Sequence, residues 1–207
     1  MCFAQFHACV LQKVFALLSR GTFRAGKGMI RSTPMINTAR LTLCAMRPED
    51  FDRFAEIWRD PEVVRHVGGT PRTRGEAWDS FLRNAGHWQM TGFGQWAVVL
   101  QSNRKLIGQA GFFFGNRSLG SDFDSFPEAG WVLAPEGQGQ GYGFEAAQAA
   151  HDWFDRVIPG PLVALIDAGN TVSQKLAAKL GYSLLREAEY RDTPVHLFRR
   201  NGPPARV

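Results

Sequence analysis

Residues 135–143 read PEGQGQGYG, with glycine at positions 137, 139, 141 and 143. A short apolar strand pattern precedes them at residues 130–133, and apolar residues with helical spacing follow them, namely Ala147, Ala150, Phe154 and Val157. In the order strand, glycine-rich turn and helix, the backbone N–H groups of the turn can converge on an anion, and the positive end of the helix dipole adds to the attraction. The stretch is therefore typical of a phosphate-binding loop, although a flexible turn without function would have a similar composition.

The spacing of the glycines narrows the choice of phosphate ligand. A P-loop ends in Gly-Lys-Ser/Thr, and no lysine lies here, while the dinucleotide pattern G-x-G-x-x-G does not fit either. The pattern Gln138-x-x-Gly141-x-Gly143 resembles the Q/R-x-x-G-x-G/A pyrophosphate loop of the GNAT N-acetyltransferases, which hold acetyl-CoA.

Two further stretches resemble the same superfamily. Residues 170–182, NTVSQKLAAKLGY, resemble its N-x-x-S-x-x-x-x-x-K-L-G-F/Y signature, and match best the RimJ/RimL-like branch, which acetylates the N-termini of ribosomal proteins. Residues 38–43 (TARLTL) and 47–50 (RPED) resemble the family's opening T-x-R-L-x-L-R and P-E-D, with Cys44 in place of the usual arginine. The three matches occur in family order, which is more specific than any one of them.

The resemblance implies the acyl-CoA N-acyltransferase (GNAT) fold. This is an α/β fold whose mixed, twisted sheet of about seven strands carries helices on both faces. The hydrophobic pattern predicts strands at residues 40–46, 95–100, 105–114, 128–133, 162–166, 182–187 and 194–199. Five helices are expected. The first begins at Pro48, the second is capped by Asp60 and runs through Val64, and the third covers residues 75–88. The last two follow the glycine loop and Asn170.

Charge divides the chain into unequal parts. Residues 1–34 hold five basic residues and no acidic one, whereas the rest holds equal numbers of both. Two interpretations of this segment are open. It resembles a transit peptide, or it is misassigned because translation begins at Met29 or Met35. We expect a disordered or misassigned extension at 1–34, the acetyltransferase domain at 35–200 and a disordered tail at 201–207. The neutral domain disfavours nucleic acid, and the apolar run near the N-terminus is too short to span a membrane.

Cysteine and histidine usage predicts neither disulfides nor a metal site. Cys2, Cys9 and Cys44 form no disulfide framework and no paired metal spacing, which favours a reducing, cytoplasmic compartment. The five histidines, His66 among them, form no ligand pair and are interpreted as surface or partly buried residues. Without a cysteine in a suggestive motif, and because a thioester is already activated, we expect direct attack of the amine in a ternary complex.

Acetyl transfer requires that the amine lose a proton, that the developing oxyanion be stabilised and that the leaving thiolate be protonated. Residues 128–131 match the family's E-x-G-Y/W, so the resemblance implies Glu128 as the base, acting through water, although an ion-paired glutamate is the alternative. Ser173 is implied as the acid, with a local helix cap as the alternative. Tyr182 is interpreted as a core residue.

The resemblance also implies the residues that bind acetyl-CoA. The backbone of Trp131, Val132 and Leu133 would bind the acetyl carbonyl and the pantetheine arm like an added strand. Asn170 would anchor the arm and cap its own helix. The pyrophosphate loop supplies Gln138, Gly139, Gln140, Gly141, Tyr142 and Gly143.

Of the components of the expected reaction, the acceptor of the acetyl group is the one that the sequence defines least. The expected acceptors are the amine of a small molecule or a protein N-terminus, and the protein is expected to be a monomer or homodimer. Residues 58–75 and 115–127 would contact the acceptor; there Asp122 and Asp124 either face a cationic substrate or belong to a solvated acidic loop. The alternative function is a catalytically inactive acyl-CoA sensor of the same fold.

Overall fold

A computed structural model describes residues 32–202; the expectations for residues 1–31 and 203–207 lie outside this part of the chain. The described residues form one sheet in the order β1-β2-β3-β4-β5-β6-β8-β7, with β5 and β6 parallel and the other neighbours antiparallel. Its strands are β1 (Ile36–Asn37), β2 (Leu41–Cys44), β3 (Gln95–Leu100), β4 (Leu106–Phe113), β5 (Glu128–Leu133), β6 (Leu162–Asp167), β7 (Ser183–Tyr190) and β8 (Thr193–Arg200).

The predicted mixed sheet is confirmed, with one strand more than expected. The additional strand is β1, which pairs with β2 through Ile36 opposite Leu43. Two residues are too few to produce an alternating hydrophobic pattern, so the sequence gives no signal for β1. The expected hairpin at the end of the chain is present, and Arg191 and Asp192 both have positive φ, as a tight two-residue turn between strands requires.

Capping side chains set the ends of several helices. Within the described residues the α-helices are α1 (Phe51–Arg59), α2 (Pro61–Val64), α3 (Arg74–Thr91), α4 (Ser121–Asp124), α5 (Tyr142–Val157) and α6 (Thr171–Lys179), and short 3-10 helices span Pro48–Asp50 and Pro135–Gly137. Asp60 caps α2 by accepting the Glu62 N–H, as expected. Thr73 and Glu76 form a capping box that begins α3, and Gly92 ends it in the left-handed conformation.

Helices cover both faces of the sheet, as predicted. On β3, Ala97 packs in a buried cluster with Phe54 of α1 and Phe81 of α3. The next residue toward the N-terminus, Trp96, points to the opposite face, where its ring lies 5.2 Å from that of Trp153 in α5. We call the face that carries Ala97 the α1/α3 face and the face that carries Trp96 the α5/α6 face.

The loop between β4 and β5 is held by its own acidic residues. Asp124 accepts backbone N–H groups from Arg117, Leu119 and Gly120, at 2.8, 2.6 and 2.8 Å. Asp122 forms an ion pair with Arg186 of β7 at 2.9 Å. Both carboxylates are therefore engaged within the chain, one in shaping the loop and the other in holding it to the sheet.

The ends of the described region contact the rest of it. The carbonyl of Pro34, which belongs to the segment expected outside the fold, accepts a 2.7 Å hydrogen bond from the indole N–H of buried Trp96. At the other end Asn201 accepts a hydrogen bond from Arg199 at 3.0 Å. No helix within residues 32–202 has the length and apolarity needed to cross a bilayer.

Candidate active site

The parallel strands β5 and β6 pair at one position and then separate. Glu128 lies opposite Val163, and the Val163 N–H donates to the Pro127 carbonyl at 3.0 Å. Beyond this point residues 129–133 pair with β4 on one side and with no described strand on the other. We call the space between residues 129–133 and residues 164–167 the β5–β6 gap; it leaves one edge of β5 open to an extended ligand.

Strand alternation determines which backbone groups point into the gap. The Pro127 carbonyl points toward β6, so every second residue after it does the same, including Trp131 and Leu133. The two residues, which are predicted to bind the acetyl carbonyl and the pantetheine arm, therefore face the gap. The backbone of Val132 points toward β4 instead, where Val132 lies opposite Gln109, and its side chain packs in the cluster on the α1/α3 face. The backbone of Val132, which is also predicted to bind the arm, therefore faces away from the gap.

A loop whose backbone N–H groups are unpaired within the described part of the chain lies at the carboxyl end of β5. Gly139 and Gly141 adopt φ of +73° and +81°, in the left-handed region that favours glycine. The first backbone hydrogen bond of α5 runs from the Glu145 N–H to the Gly141 carbonyl. The N–H groups of residues 139–144 donate to no acceptor within residues 32–202. The arrangement is suited to a diphosphate, as the sequence predicts.

Two glutamine side chains hold this loop in shape. Gln138 Nε2 donates to the Leu133 carbonyl at 3.0 Å, and Gln140 Nε2 donates to the Glu136 carbonyl at 2.7 Å. Both predicted site residues thus bind the protein through their side chains. The Gln140 N–H has no acceptor within residues 32–202, whereas the Gln138 N–H donates to the Pro135 carbonyl at 3.1 Å.

Arg40 is a further charged residue at the loop. Its Nη1 donates to the Gln140 carbonyl at 2.9 Å, and its guanidinium lies 4.4 Å from the centre of the Tyr142 ring. A Cβ placed on Gly141 would lie 3.4 Å from Arg40 Nη2, so a cation borders the loop directly. Glu145 of α5 accepts from Arg40 Nε at 2.7 Å and holds it there. Arg40 belongs to a motif found in the sequence, but nothing in the sequence connects it with the loop.

The two faces of the gap carry different chemistry. Glu128 and Val132 share the α1/α3 face, and Asp167, four residues after the Val163 that faces Glu128, shares it as well. Trp131 points to the α5/α6 face, where its indole N–H donates to Ser173 Oγ at 3.3 Å. The proposed base and the proposed acid therefore lie on opposite faces of the sheet.

Glu128 is buried and ion-paired. Its side chain is 4% exposed, and its two oxygens accept from Arg117 Nε and Nη2, each at 2.7 Å. Burial raises the pKa of Glu128, while the Arg117 guanidinium acts in the opposite direction. Arg117 in turn lies 4.8 Å from the ring of Tyr190. Arg117 follows no recognised motif, and the sequence gives no sign that it reaches Glu128.

Asn170 and Ser173 have separate tasks at the start of α6. Asn170 Oδ1 accepts the Ser173 N–H at 3.0 Å, which confirms Asn170 as the predicted N-cap. The Ser173 hydroxyl takes no part in this cap and accepts from Trp131 instead. The helix cap, which was the alternative role for Ser173, is therefore provided by Asn170.

His66 and Asp167 form a pair that the sequence does not reveal. His66 Nδ1 lies 2.9 Å from Asp167 Oδ1, across 101 residues of sequence. The same oxygen accepts the Gly169 N–H at 2.9 Å. The pair joins the turn after α2 to the end of β6, beside the gap.

Tyr182 belongs to the core, as predicted. Its hydroxyl lies 2.8 Å from Nε2 of buried His151, whose Nδ1 lies 2.7 Å from the Ala147 carbonyl. Because a carbonyl only accepts, Nδ1 carries the hydrogen and Nε2 accepts from Tyr182. Burial lowers the pKa of His151 to about 4 and raises that of Tyr182.

The described residues fit acetyl-CoA on two observations. The free N–H groups of residues 139–144 suit its diphosphate, and the open edge of β5 suits its extended, amide-containing arm. Within residues 32–202 no group of three or more His, Cys, Asp or Glu side chains is placed to share a metal ion.

Comparisons with known proteins identify the family of this chain. The family model described as "Acetyltransferase (GNAT) domain" matches residues 40–183. The protein named "Uncharacterized N-acetyltransferase p20", from Bacillus licheniformis, is 28% identical over 157 residues, which are 73% of this chain and 85% of that protein.

Solved structures show the same fold. An acetyltransferase from Agrobacterium tumefaciens strain C58 is 28% identical, with a TM-score of 0.70 over 86% of this chain and 99% of its own. RimL, a ribosomal L7/L12 α-N-protein acetyltransferase in complex with coenzyme A, is 15% identical, with a TM-score of 0.65 over 81% of this chain and 98% of its own. At that identity the likeness to RimL concerns the fold alone. The chain belongs to the GNAT family of N-acetyltransferases.

Proposed function

We propose that this N-acetyltransferase moves the acetyl group of acetyl-CoA to a primary amine by direct attack in a ternary complex. The observation that carries the proposal is the β5–β6 gap, which leaves the edge of β5 open and leads to a loop of unpaired N–H groups. Acetyl-CoA supplies an activated thioester, so the protein needs to position, polarise and move protons.

The backbone does most of the binding. N–H groups of residues 139–144 hold the diphosphate, supported by the α5 dipole and by Arg40 at the edge of the loop. The backbone groups of Trp131 and Leu133 that face the gap hold the arm, and an N–H among them donates to the acetyl carbonyl oxygen. Asn170 Oδ1 is used by the helix cap, which leaves its Nδ2 for the arm.

The two faces of the gap separate the two proton transfers. Ser173 lies on the α5/α6 face and protonates the departing thiolate, and its hydroxyl is oriented by the Trp131 indole. Glu128 lies on the α1/α3 face and accepts a proton from the amine through a water molecule. Each of its oxygens has a second lone pair beyond the one that Arg117 occupies. The amine therefore approaches from the α1/α3 face.

The state of Cys44 supports direct attack. Burial, followed by the nearby Asp50, raises the pKa of the Cys44 thiol, so the reactive thiolate is disfavoured. Cys44 also lies on β2, which β3 and β4 separate from the gap. An acetylated cysteine intermediate is therefore not part of the proposed reaction.

The acceptor class is proposed as a protein N-terminus or a small primary amine in the cytoplasm, with the enzyme acting as a monomer or homodimer. The RimJ/RimL-like sequence signature at residues 170–182 supports a protein α-amine. A specific observation favours a second candidate, an acyl-CoA sensor without turnover. Arg117 engages both oxygens of Glu128, and a carboxylate held in this way also suits a purely structural role.

A panel of Ala- and Ser-initiated peptides and small primary amines tests the proposal. Free CoA thiol is measured after mixing protein and acetyl-CoA with each amine. We expect thiol release that requires protein and amine together. Tight acetyl-CoA binding without amine-dependent release from any member would replace the enzyme with the sensor.

A further inference from the structure

His66 presents a ring nitrogen beside the gap that has no hydrogen-bond partner within residues 32–202. Asp167 Oδ1 lies 2.9 Å from His66 Nδ1, and a carboxylate oxygen only accepts hydrogen bonds, so Nδ1 carries the hydrogen in the neutral ring. Nε2 then holds a lone pair, and it makes no hydrogen bond within residues 32–202. The side chain is 33% exposed, so a molecule from solvent can reach it.

The pair lies where the amine is proposed to enter. Asp167 is the last residue of β6, and its side chain shares the α1/α3 face with that of Glu128. A Cβ on Gly169 would lie 3.7 Å from His66 Cε1, so the ring packs against the turn that leads into Asn170 and α6. His66 thus lies at the open end of the gap, whereas Glu128 lies at the end where β5 and β6 still pair.

Asp167 keeps its charge available to the histidine. Glu128, the other carboxylate on this side of the gap, is neutralised by Arg117. Asp167 pairs with no arginine or lysine in the described part of the chain; its partners are His66 and the Gly169 N–H. An ionised carboxylate behind an imidazole fixes the tautomer and stabilises the imidazolium that forms when Nε2 takes a proton.

We propose that His66, oriented by Asp167, is a catalytic residue that deprotonates the incoming ammonium group of the acceptor; this inference rests on the proposed function. A protonated primary amine loses two protons on becoming an amide, one before attack and one as the N–C bond forms. In the first loss an N–H bond of the ammonium breaks, its electron pair stays on nitrogen, and the proton bonds to Nε2. The imidazolium later returns the proton to water. Glu128 accepts, through water, the second proton, which the nitrogen loses as the N–C bond forms.

The tautomer of His66 is tested without any substrate. Protein containing ¹⁵N-labelled histidine is studied by two-bond ¹H–¹⁵N correlation at about pH 8, above the usual titration range of histidine. We expect His66, assigned from the His66→Gln spectrum, to show a protonated Nδ1 and an unprotonated Nε2. Asp167→Ala should shift His66 toward the other tautomer. A wild-type His66 protonated at Nε2 would overturn the proposal.

The role in proton transfer is tested with matched acceptors. The best amine of the panel, R–CH₂–NH₂, is compared with its aminooxy analogue, R–O–NH₂, which is already neutral at neutral pH. His66→Gln should lower turnover of the amine about 10²-fold and that of the analogue only slightly. A merely structural role would lower both equally, and that result would overturn the proposal, as would an unchanged rate with the amine.

His196→Gln is the matched control. His196 also lies near a carboxylate, Glu187 at 3.9 Å, but both belong to the β7–β8 hairpin. This variant should acetylate both acceptors at the wild-type rate, and acetyl-CoA should raise the melting temperature of both variants. The two proposals fail in different ways. A wild type that acetylates no amine would refute the proposed function, whereas a His66→Gln protein that acetylates the amine at the wild-type rate would refute only the role of His66.

Discussion

The Glu128 carboxylate and the Arg117 guanidinium are joined by two hydrogen bonds of 2.7 Å each, on the side of β5 that faces α1 and α3. The pair is nearly excluded from solvent, since the two side chains are 4% and 20% exposed. A bidentate pair fixes the orientation of the carboxylate as well as its charge. Any role of Glu128 in proton transfer is therefore exercised from a fixed position.

Glu128→Gln should lower turnover by roughly 10²-fold, because the amide cannot accept a proton. It should also lower the free energy of unfolding by about 3 kcal/mol, because the buried Arg117 loses its counter-charge. Initial rates are therefore compared per folded molecule, with acetyl-CoA affinity measured in parallel and expected to be unchanged. Asp122→Asn, which breaks the more exposed pair with Arg186, is the control and should keep the wild-type rate. An equal rate for both variants would remove Glu128 from the chemistry.

Gly141→Glu should abolish the rise in melting temperature that acetyl-CoA causes in the wild type. The new carboxylate would lie among the free N–H groups and repel the diphosphate. The matched control is Gly92→Glu, because Gly92 has a similar φ of +77° at the end of α3. Both variants should lose stability from left-handed strain, by about 1–2 kcal/mol, but the Gly92 variant should keep the ligand shift. Equal ligand shifts in the two would refute the diphosphate assignment.

Ser173→Ala should slow the chemical step about tenfold to a hundredfold while leaving the melting temperature nearly unchanged. The loss is modest because a thiolate leaves readily without a proton. Asn170→Ala is the complementary variant, since Asn170 supplies the helix cap, and it should cost about 1 kcal/mol of stability. If Ser173→Ala instead destabilised the protein and left its rate intact, Ser173 would be structural.

His151 makes stability depend on pH. Its pKa is about 4 in the folded protein, below the ordinary value of 6.5, so between these pH values the unfolded chain binds a proton that the folded chain does not. Folded stability is therefore lost as pH falls through this window. Between pH 7 and pH 5 the contribution is about 2 kcal/mol. Urea unfolding at both pH values should show a smaller difference for His151→Gln; an identical difference would contradict this account.

Motifs carried by adjacent residues were predictable. The glycine loop and the Asn170 cap depend on residues a few positions apart, and their chemistry follows from local geometry. The sheet and its two helical faces follow from hydrophobic periodicity. Val132 shows the limit of reading a strand as one unit, because alternate residues of β5 direct their backbone groups to opposite sides.

Contacts between distant segments were not predictable. His66 and Asp167 are 101 residues apart, and each alone is an ordinary polar residue. Arg117 reaches Glu128 only because the acidic loop folds back on Asp124. The β5–β6 gap leaves no trace in the hydrophobic pattern either, since separated strands and paired strands are both apolar.

Direct transfer of the acetyl group from acetyl-CoA to an amine is tested most directly by following a labelled acetyl group. Protein is incubated with [¹³C-acetyl]-CoA and the amine panel, and both the amines and the intact protein are analysed by mass spectrometry. We expect labelled acetyl on the nitrogen of at least one primary amine and none on the protein. Label that remains on CoA with every amine, or that resides on Cys44 of the protein, would contradict it.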